Sequence, residues 1–146
     1  MSSRFRVADL IGVATVACLG LMAPGLLAQE PPRPQPVEIP SAATLEGVPT
    51  VRVDSSEEGT TRRVLDLAQA STDRLTVTAR DGKLFWTSRG NRQLRLFSSG
   101  EFTYLTSEPG KYIRLTRLND RISYVEHLDT VSGTVTWWGE LRIVGK

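Results

Sequence analysis

Apolar and polar side chains alternate through most of the carboxyl-terminal half of the chain. Over residues 74–80 apolar residues alternate with threonines, and a period of two places the apolar ones on a single face of a β-strand. Asp81-Gly82 follows directly and leads into a second apolar run at 83–88. Because a type I′ turn needs positive φ at both central residues, Asp-Gly between two such runs favours a two-residue hairpin. The pattern therefore predicts a β-hairpin over 74–88.

Five further segments show the same alternation and are separated by residues typical of turns. They cover residues 93–97, 102–106, 112–118, 122–128 and 134–144. Gly139 lies inside the last segment, where a glycine is typical of a bulge or of a bend at a barrel corner. Consecutive strands joined by short turns form an antiparallel meander. We predict an all-β fold of about seven to eight short strands, arranged as a small barrel or as a lipocalin-like curled sheet.

The chain before residue 74 divides into three parts. Residues 1–28 have the pattern of a signal peptide, and residues 29–49 form a proline-rich spacer, since proline fixes φ and favours extended backbone. The β domain then covers 50–146, and 74–146 is its best-defined part. Within its first section, 50–54 alternates as a strand does. Residues 62–70 fit either a helix or a strand, and the β character of the rest favours the strand.

The amino terminus indicates export. Two arginines precede a short apolar core, and a small residue, Ala28, is placed for cleavage directly after it. Such a core is shorter than the roughly 20 apolar residues that span a bilayer, so the mature chain has no predicted transmembrane span. Cys18 offers an alternative as a lipid-anchored cysteine, although the simpler interpretation is a small apolar residue of the signal core. We expect a periplasmic or extracellular protein.

Charge is distributed unevenly along the chain. Its formal net charge is +2, yet residues 29–73 carry four arginines against eight acidic residues, or −4, and residues 74–146 carry twelve basic against seven acidic residues, or +5. A basic domain favours an anionic partner, whereas a solvated outer sheet face explains the same charges. Export argues against nucleic acid as the partner.

Few residues offer catalytic or metal-binding chemistry. Cleavage after Ala28 leaves no cysteine, and His127 is the one histidine, so no cofactor and no metal site are predicted. His127 has Glu126 and Asp129 as neighbours and is a weak candidate for a general base. Adjacent strand residues point to opposite faces, however, so Glu126 and His127 should not converge. The chain contains no Gly-x-Ser-x-Gly elbow and no phosphate-binding glycine loop.

Aromatic residues are concentrated in the predicted β domain. Trp137 and Trp138 are adjacent on one strand, so one should face inward and the other outward. An outward tryptophan often marks a binding surface. We take Trp86, Tyr112 and Trp138 as candidate ligand contacts, while ordinary barrel core explains most of the other rings.

The turn spacing from Leu75 to Glu126 resembles that of β-rich accessory domains appended to secreted serine hydrolases. The likeness lies in an Asp-Gly hairpin, a strand bearing phenylalanine and an Asn-Asp hairpin. It includes no catalytic residue, implies a lipocalin-like curled sheet without activity, and carries no family assignment.

Three functions fit these observations. The first is a non-catalytic exported module that binds a ligand or a cell-envelope partner. The second is a small secreted hydrolase that uses His127 with Glu126 or Asp129. The third is a structural envelope protein that acts through protein–protein contacts. An open, aromatic-lined interior would favour a ligand inside the domain, and a filled interior would favour the outer surface.

Overall fold

A computed structural model describes residues 31–145 of the chain. The signal segment 1–28, its cleavage position after Ala28 and the candidate lipid anchor Cys18 lie outside the described residues. The strands are β1 Thr44–Ser56, β2 Gly59–Val64, β3 Leu75–Arg80, β4 Lys83–Trp86, β5 Arg92–Ser99, β6 Phe102–Glu108, β7 Lys111–Leu118, β8 Arg121–Thr130 and β9 Gly133–Val144. One α-helix, α1 Leu67–Thr72, connects β2 to β3, and a 3₁₀ turn, Thr87–Arg89, follows β4.

Eight of the strands close into an antiparallel barrel, and β2 lies outside it. The strand order is β2-β1-β3-β4-β5-β6-β7-β8-β9, and an additional pairing of β1 with β9 closes the circle. This closing ladder runs from Thr44 opposite Val144 to Ser55 opposite Thr134. The all-β meander is therefore confirmed, and the closed barrel is the correct one of the two predicted forms. Closure gives each of the eight barrel strands a paired neighbour on both sides, so no edge strand of an open sheet remains among them.

The turn between β3 and β4 has the predicted backbone. Asp81 has φ 52° and Gly82 has φ 70°, which are the positive values that a type I′ turn requires at both central positions. Residues 75–144 form seven strands, β3 to β9, as the alternating pattern predicts.

The structure differs from the sequence prediction ahead of β3. Residues 44–49, which we placed in the spacer, form the first part of β1. The strand predicted for 62–70 ends at Val64, and α1 follows. Asp66 starts this helix with a capping box: its side chain accepts from the Gln69 main-chain N–H at 2.9 Å, while the Asp66 main-chain N–H donates to the Gln69 side chain at 3.1 Å. This local capping energy favours the helix over strand continuation.

The barrel interior is filled by side chains. Six of the interior aliphatic residues have no exposed surface at all: Leu45, Leu75, Val77, Leu105, Ile113 and Leu115. The proline-rich segment closes one end of the barrel, because Val37 packs into this core. The Thr103 hydroxyl accepts from the Val37 N–H at 2.8 Å and donates to the Val37 carbonyl at 3.1 Å. We call this the plugged end, and the opposite end, where the β4–β5, β6–β7 and β8–β9 connections lie, the mouth.

Gly139 lies where β9 passes closest to β1. A Cβ atom on Gly139 would lie 2.8 Å from Pro49 Cα and 2.8 Å from Tyr124 Cε1, closer than real side-chain contacts. The pairing of β1 with β9 shifts register at this level, between Pro49 and Val51. The irregularity predicted at Gly139 is therefore present, and it lies in the facing strand.

Candidate functional site

A buried ion pair lies beneath the mouth of the barrel. Glu126 has no exposed surface and points inward from β8. Arg89, from the 3₁₀ turn, reaches it with two nitrogen atoms, Nε at 3.0 Å from Oε1 and Nη2 at 3.0 Å from Oε2. The Trp86 indole N–H also donates to Oε1, at 3.1 Å. Burial raises the pKa of the Glu126 carboxyl to about 7, because removal from water costs the ionised form more than Arg89 and Trp86 return.

Two arginine side chains contact the Trp137 ring next to this pair. The guanidinium carbons of Arg52 and Arg89 are 5.2 Å and 4.9 Å from the centre of its ring, within the range of cation–π attraction. The Trp137 indole N–H donates to Asp73 Oδ2 at 2.8 Å, and Arg52 Nη1 donates to the same oxygen at 3.2 Å. These groups satisfy one another, so the network mainly fixes the inner wall below the mouth.

A small cavity opens above that wall. Its volume is about 220 Å³. Its lining combines an apolar floor with three cationic side chains, and it consists of Trp86, Arg89, Arg92, Lys111, Leu128, Asp129 and Thr130. Of the three predicted ligand contacts, Trp86 is the one that lies inside the barrel, where its ring is fully buried.

A row of rings crosses the outer face of β5 to β8. We call it the aromatic ladder, and its members are Phe97, Phe102, Tyr104, Tyr112 and His127. Phe97 stacks on Tyr104 with ring centres 5.0 Å apart, and Tyr112 stacks on His127 at the same 5.0 Å. Tyr104 joins the two pairs, since its ring centre lies 6.3 Å from that of Tyr112. Period-two alternation sends these side chains outward, and neighbouring strands bring them together.

A shallow groove runs beside the ladder on the same outer face. We call it the outer groove; its volume is about 370 Å³, and its lining includes Thr50, Arg114, Thr116, Ser123, Val125, Trp138 and Glu140. Trp138 keeps 37% of its surface exposed. The Arg114 guanidinium stacks on Phe102 of the ladder, 4.8 Å from the ring centre, so the ladder and the groove form one continuous surface.

His127 lies on the outer face, away from the Glu126 carboxyl. Its Nδ1 is 2.9 Å from the Thr136 hydroxyl and its Nε2 is 3.1 Å from Asp129 Oδ1. Strand alternation therefore separates His127 from Glu126, as predicted. The carboxylate that His127 contacts is that of Asp129. Between residues 31 and 145, no group of three or more histidine, cysteine or acidic side chains is arranged to hold a metal ion.

The structure brings together two of the three candidate contacts and separates the third. Tyr112 belongs to the ladder and Trp138 to the neighbouring groove, while Trp86 lies inside the barrel. Sequence reasoning missed Arg114 and the Arg89–Glu126 pair. Outward alternation on β7 was the available signal for Arg114, but it marks every second residue alike.

Comparison with known proteins adds no functional information. No protein-family model, no curated protein and no solved structure matches the chain. The helices found in residues 31–145 are all too short or too polar to cross a membrane.

Proposed function

We propose that this protein is an exported, non-catalytic binding module that holds a hydroxyl-rich glycan of the cell envelope in the outer groove. The observation that carries the proposal is the exposed indole of Trp138 beside the guanidinium of Arg114 and several hydroxyl groups. Sugars present apolar C–H faces and hydroxyl edges together, and this combination of side chains matches both.

The filled interior supports a ligand on the surface. The core is packed with side chains, and Leu45, Leu105 and Ile113 are fully buried members of it. A glycan bound to the outer groove needs no change in this packing, because the groove lies on the solvent side of β7, β8 and β9.

The groove offers groups that still have bonding capacity. The Trp138 indole N–H donates to none of the described residues, and Arg114 forms no ion pair within 31–145. Ser123 adds a hydroxyl that is likewise without a partner in that range. A sugar ring packed on the indole would therefore meet donors and acceptors on its hydroxyl edge without displacing existing bonds.

The aromatic ladder extends the contact surface beyond the groove. Its stacked rings face one another, with Phe97 and Tyr104 only 7° from parallel, so they present ring edges and the Tyr104 and Tyr112 hydroxyl groups. Phe97 keeps 48% of its surface exposed at the end of the ladder. Together the two areas suit an extended chain of sugars better than a single one.

The test is a glycan array of envelope polysaccharides, followed by calorimetry with the strongest glycan. Trp138→Ala should weaken binding roughly tenfold, since one ring contact plus its buried area contributes on the order of 1–2 kcal/mol. Leu67→Ala is the matched control, because Leu67 is exposed on α1, away from the groove, and it should bind as the unchanged protein does. Binding that survives Trp138→Ala, or an array without any bound glycan, would refute the proposal. A protein cross-linked at position 138 in the native envelope would favour the structural alternative.

One observation keeps the hydrolase as a second candidate. The Thr136 hydroxyl, His127 and Asp129 form a continuous chain of contacts of 2.9 Å and 3.1 Å, the order of groups found where a base activates a hydroxyl. Against a hydrolase, Thr136 lies in a strand that is paired on both sides, opposite Val53 of β1 and His127 of β8. The main-chain N–H groups of β9 therefore bond within the sheet and do not form an oxyanion hole. His127→Ala should leave any hydrolytic activity of the purified protein unchanged; its loss would favour this candidate.

A further inference from the structure

We propose that the cavity at the barrel mouth is a second binding site, independent of the outer groove, for a small carboxylic acid with a flat or short apolar body. The carboxylate lies at the rim beside Arg92 and Lys111, and the apolar body packs on Leu128 next to the buried Trp86 ring. The size of the cavity, the charge of its rim and the bonding capacity that the rim retains all favour such a ligand.

The size of the cavity sets the size of the ligand. A volume of about 220 Å³ corresponds to roughly seven water molecules at about 30 Å³ each. An acid with one ring or a short chain fits this space, whereas a lipid chain does not. The floor is apolar, because the partly buried Leu128 lines it and the fully buried Trp86 ring borders it, so burying a hydrocarbon body there is favourable.

Three of the four ionisable side chains that line the cavity are cationic. Arg92 and Lys111 begin β5 and β7, and alternation places both on the inward side, in line with Leu94 and Ile113 of the core. Asp129 also borders the cavity, but its carboxylate contacts His127 Nε2 on the outer face, at 3.1 Å. The negative charge of Asp129 is therefore directed away from the site.

Arg92 and Lys111 are joined by one carboxylate. Lys111 Nζ lies 2.9 Å from Glu108 Oε1, and Arg92 Nη1 contacts the same oxygen. A lysine carries three N–H donors and an arginine five, so each retains donors after this contact. Two cations that share one oxygen can accept a second carboxylate without breaking the first pair.

Arg89 closes the inner side of the site. It is already bound to Glu126 through two nitrogens, and its Nη1 donates to the Ser88 carbonyl at 3.2 Å. The ligand carboxylate is therefore held at the outer rim by Arg92 and Lys111, and the apolar body points down toward Trp86.

The experiment uses benzoate as the probe and benzamide as its neutral counterpart, titrated into the complete mature protein while tryptophan emission and two-dimensional NMR shifts are followed. Benzoate should shift signals of Trp86 and Leu128 and should bind at least about tenfold more tightly than benzamide. Lys111→Gln should abolish that preference, and Arg121→Gln, which removes a cation at the plugged end, should preserve it. Arg92→Gln is the second variant, because Arg92 is 51% exposed and its replacement leaves the core intact.

Equal binding of benzoate and benzamide, benzoate binding that both rim variants retain, or no shift at Trp86 would overturn the assignment. Glycan binding at the outer groove is measured on the same samples, so the failure of one site is distinguished from the failure of the other.

Discussion

The buried carboxyl of Glu126 should make stability depend on pH across the neutral range. Its pKa is raised from 4.5 to about 7 in the folded protein, chiefly by burial. Between these two values the folded protein holds a proton that the unfolded chain has released. Folding therefore takes up a proton, and the free energy of unfolding falls as the pH rises. The contribution is fully present below about pH 4.5 and is lost by about pH 7.

The size of this effect follows from the pKa difference. One pKa unit corresponds to about 1.4 kcal/mol, so the rise from 4.5 to about 7 corresponds to roughly 3 kcal/mol. Three other carboxyls with shifted pKa values, those of Glu46, Asp54 and Glu108, are all lowered by nearby arginine or lysine side chains. Their pKa values in the folded protein therefore lie below that of Glu126.

Urea unfolding followed by tryptophan emission between about pH 5 and about pH 8 measures the effect. The unchanged protein should lose about 3 kcal/mol across this range, and Glu126→Gln should lose little, because an amide has no proton to release. Glu140→Gln is the matched control, since Glu140 is an exposed carboxylate with one long contact to Arg121 of 3.5 Å. His127→Gln removes the one histidine and should keep the slope. If the slope survives Glu126→Gln, or if stability rises with pH, the Glu126 carboxyl does not control the pH dependence.

Two further substitutions test the closure of the barrel. Gly139→Ala should destabilise the protein by about 2 kcal/mol or more, because its Cβ would meet Pro49 and Tyr124 at 2.8 Å and overpacking is costly; an unchanged urea midpoint would contradict this close approach. Thr103→Val should cost about 1–3 kcal/mol, because it removes both hydrogen bonds to Val37. It should also speed hydrogen exchange at the Val37 amide, and exchange as slow as in the unchanged protein would show that the plug does not depend on Thr103.

The strands and their faces were predictable because they depend on neighbours in sequence. Asp81-Gly82 specifies its turn through backbone φ alone, and alternation correctly separates the buried Trp137 from the exposed Trp138. The same rule separates Glu126 from His127. The capping box of Asp66 and Gln69 is also a local signal, and the prediction of a strand through 62–70 gave it too little weight.

The sites were less predictable because they join residues that are distant in sequence. Arg89 and Glu126 meet inside the barrel across 37 positions, and Trp137 meets Asp73 across 64. No local pattern selects these partners, since Arg89 lies in a 3₁₀ turn and Asp73 follows α1, where strand alternation does not apply. Trp86 shows the same limit: its residue type suggested a ligand contact, and only the packing around it showed that its ring is buried beside the mouth cavity.

Local sequence was enough to predict the antiparallel strands within 75–144 and the side chains that share a face, because turn chemistry and period-two alternation act over a few residues. The pairing of β1 with β9 that closes the barrel, the plug formed by Val37 and the groove shared by Arg114 and Trp138 could be read only from the folded chain. Those outcomes depend on which strands become neighbours. The burial and hydrogen bonding of the whole sheet select which strands become neighbours, and every strand contributes to both.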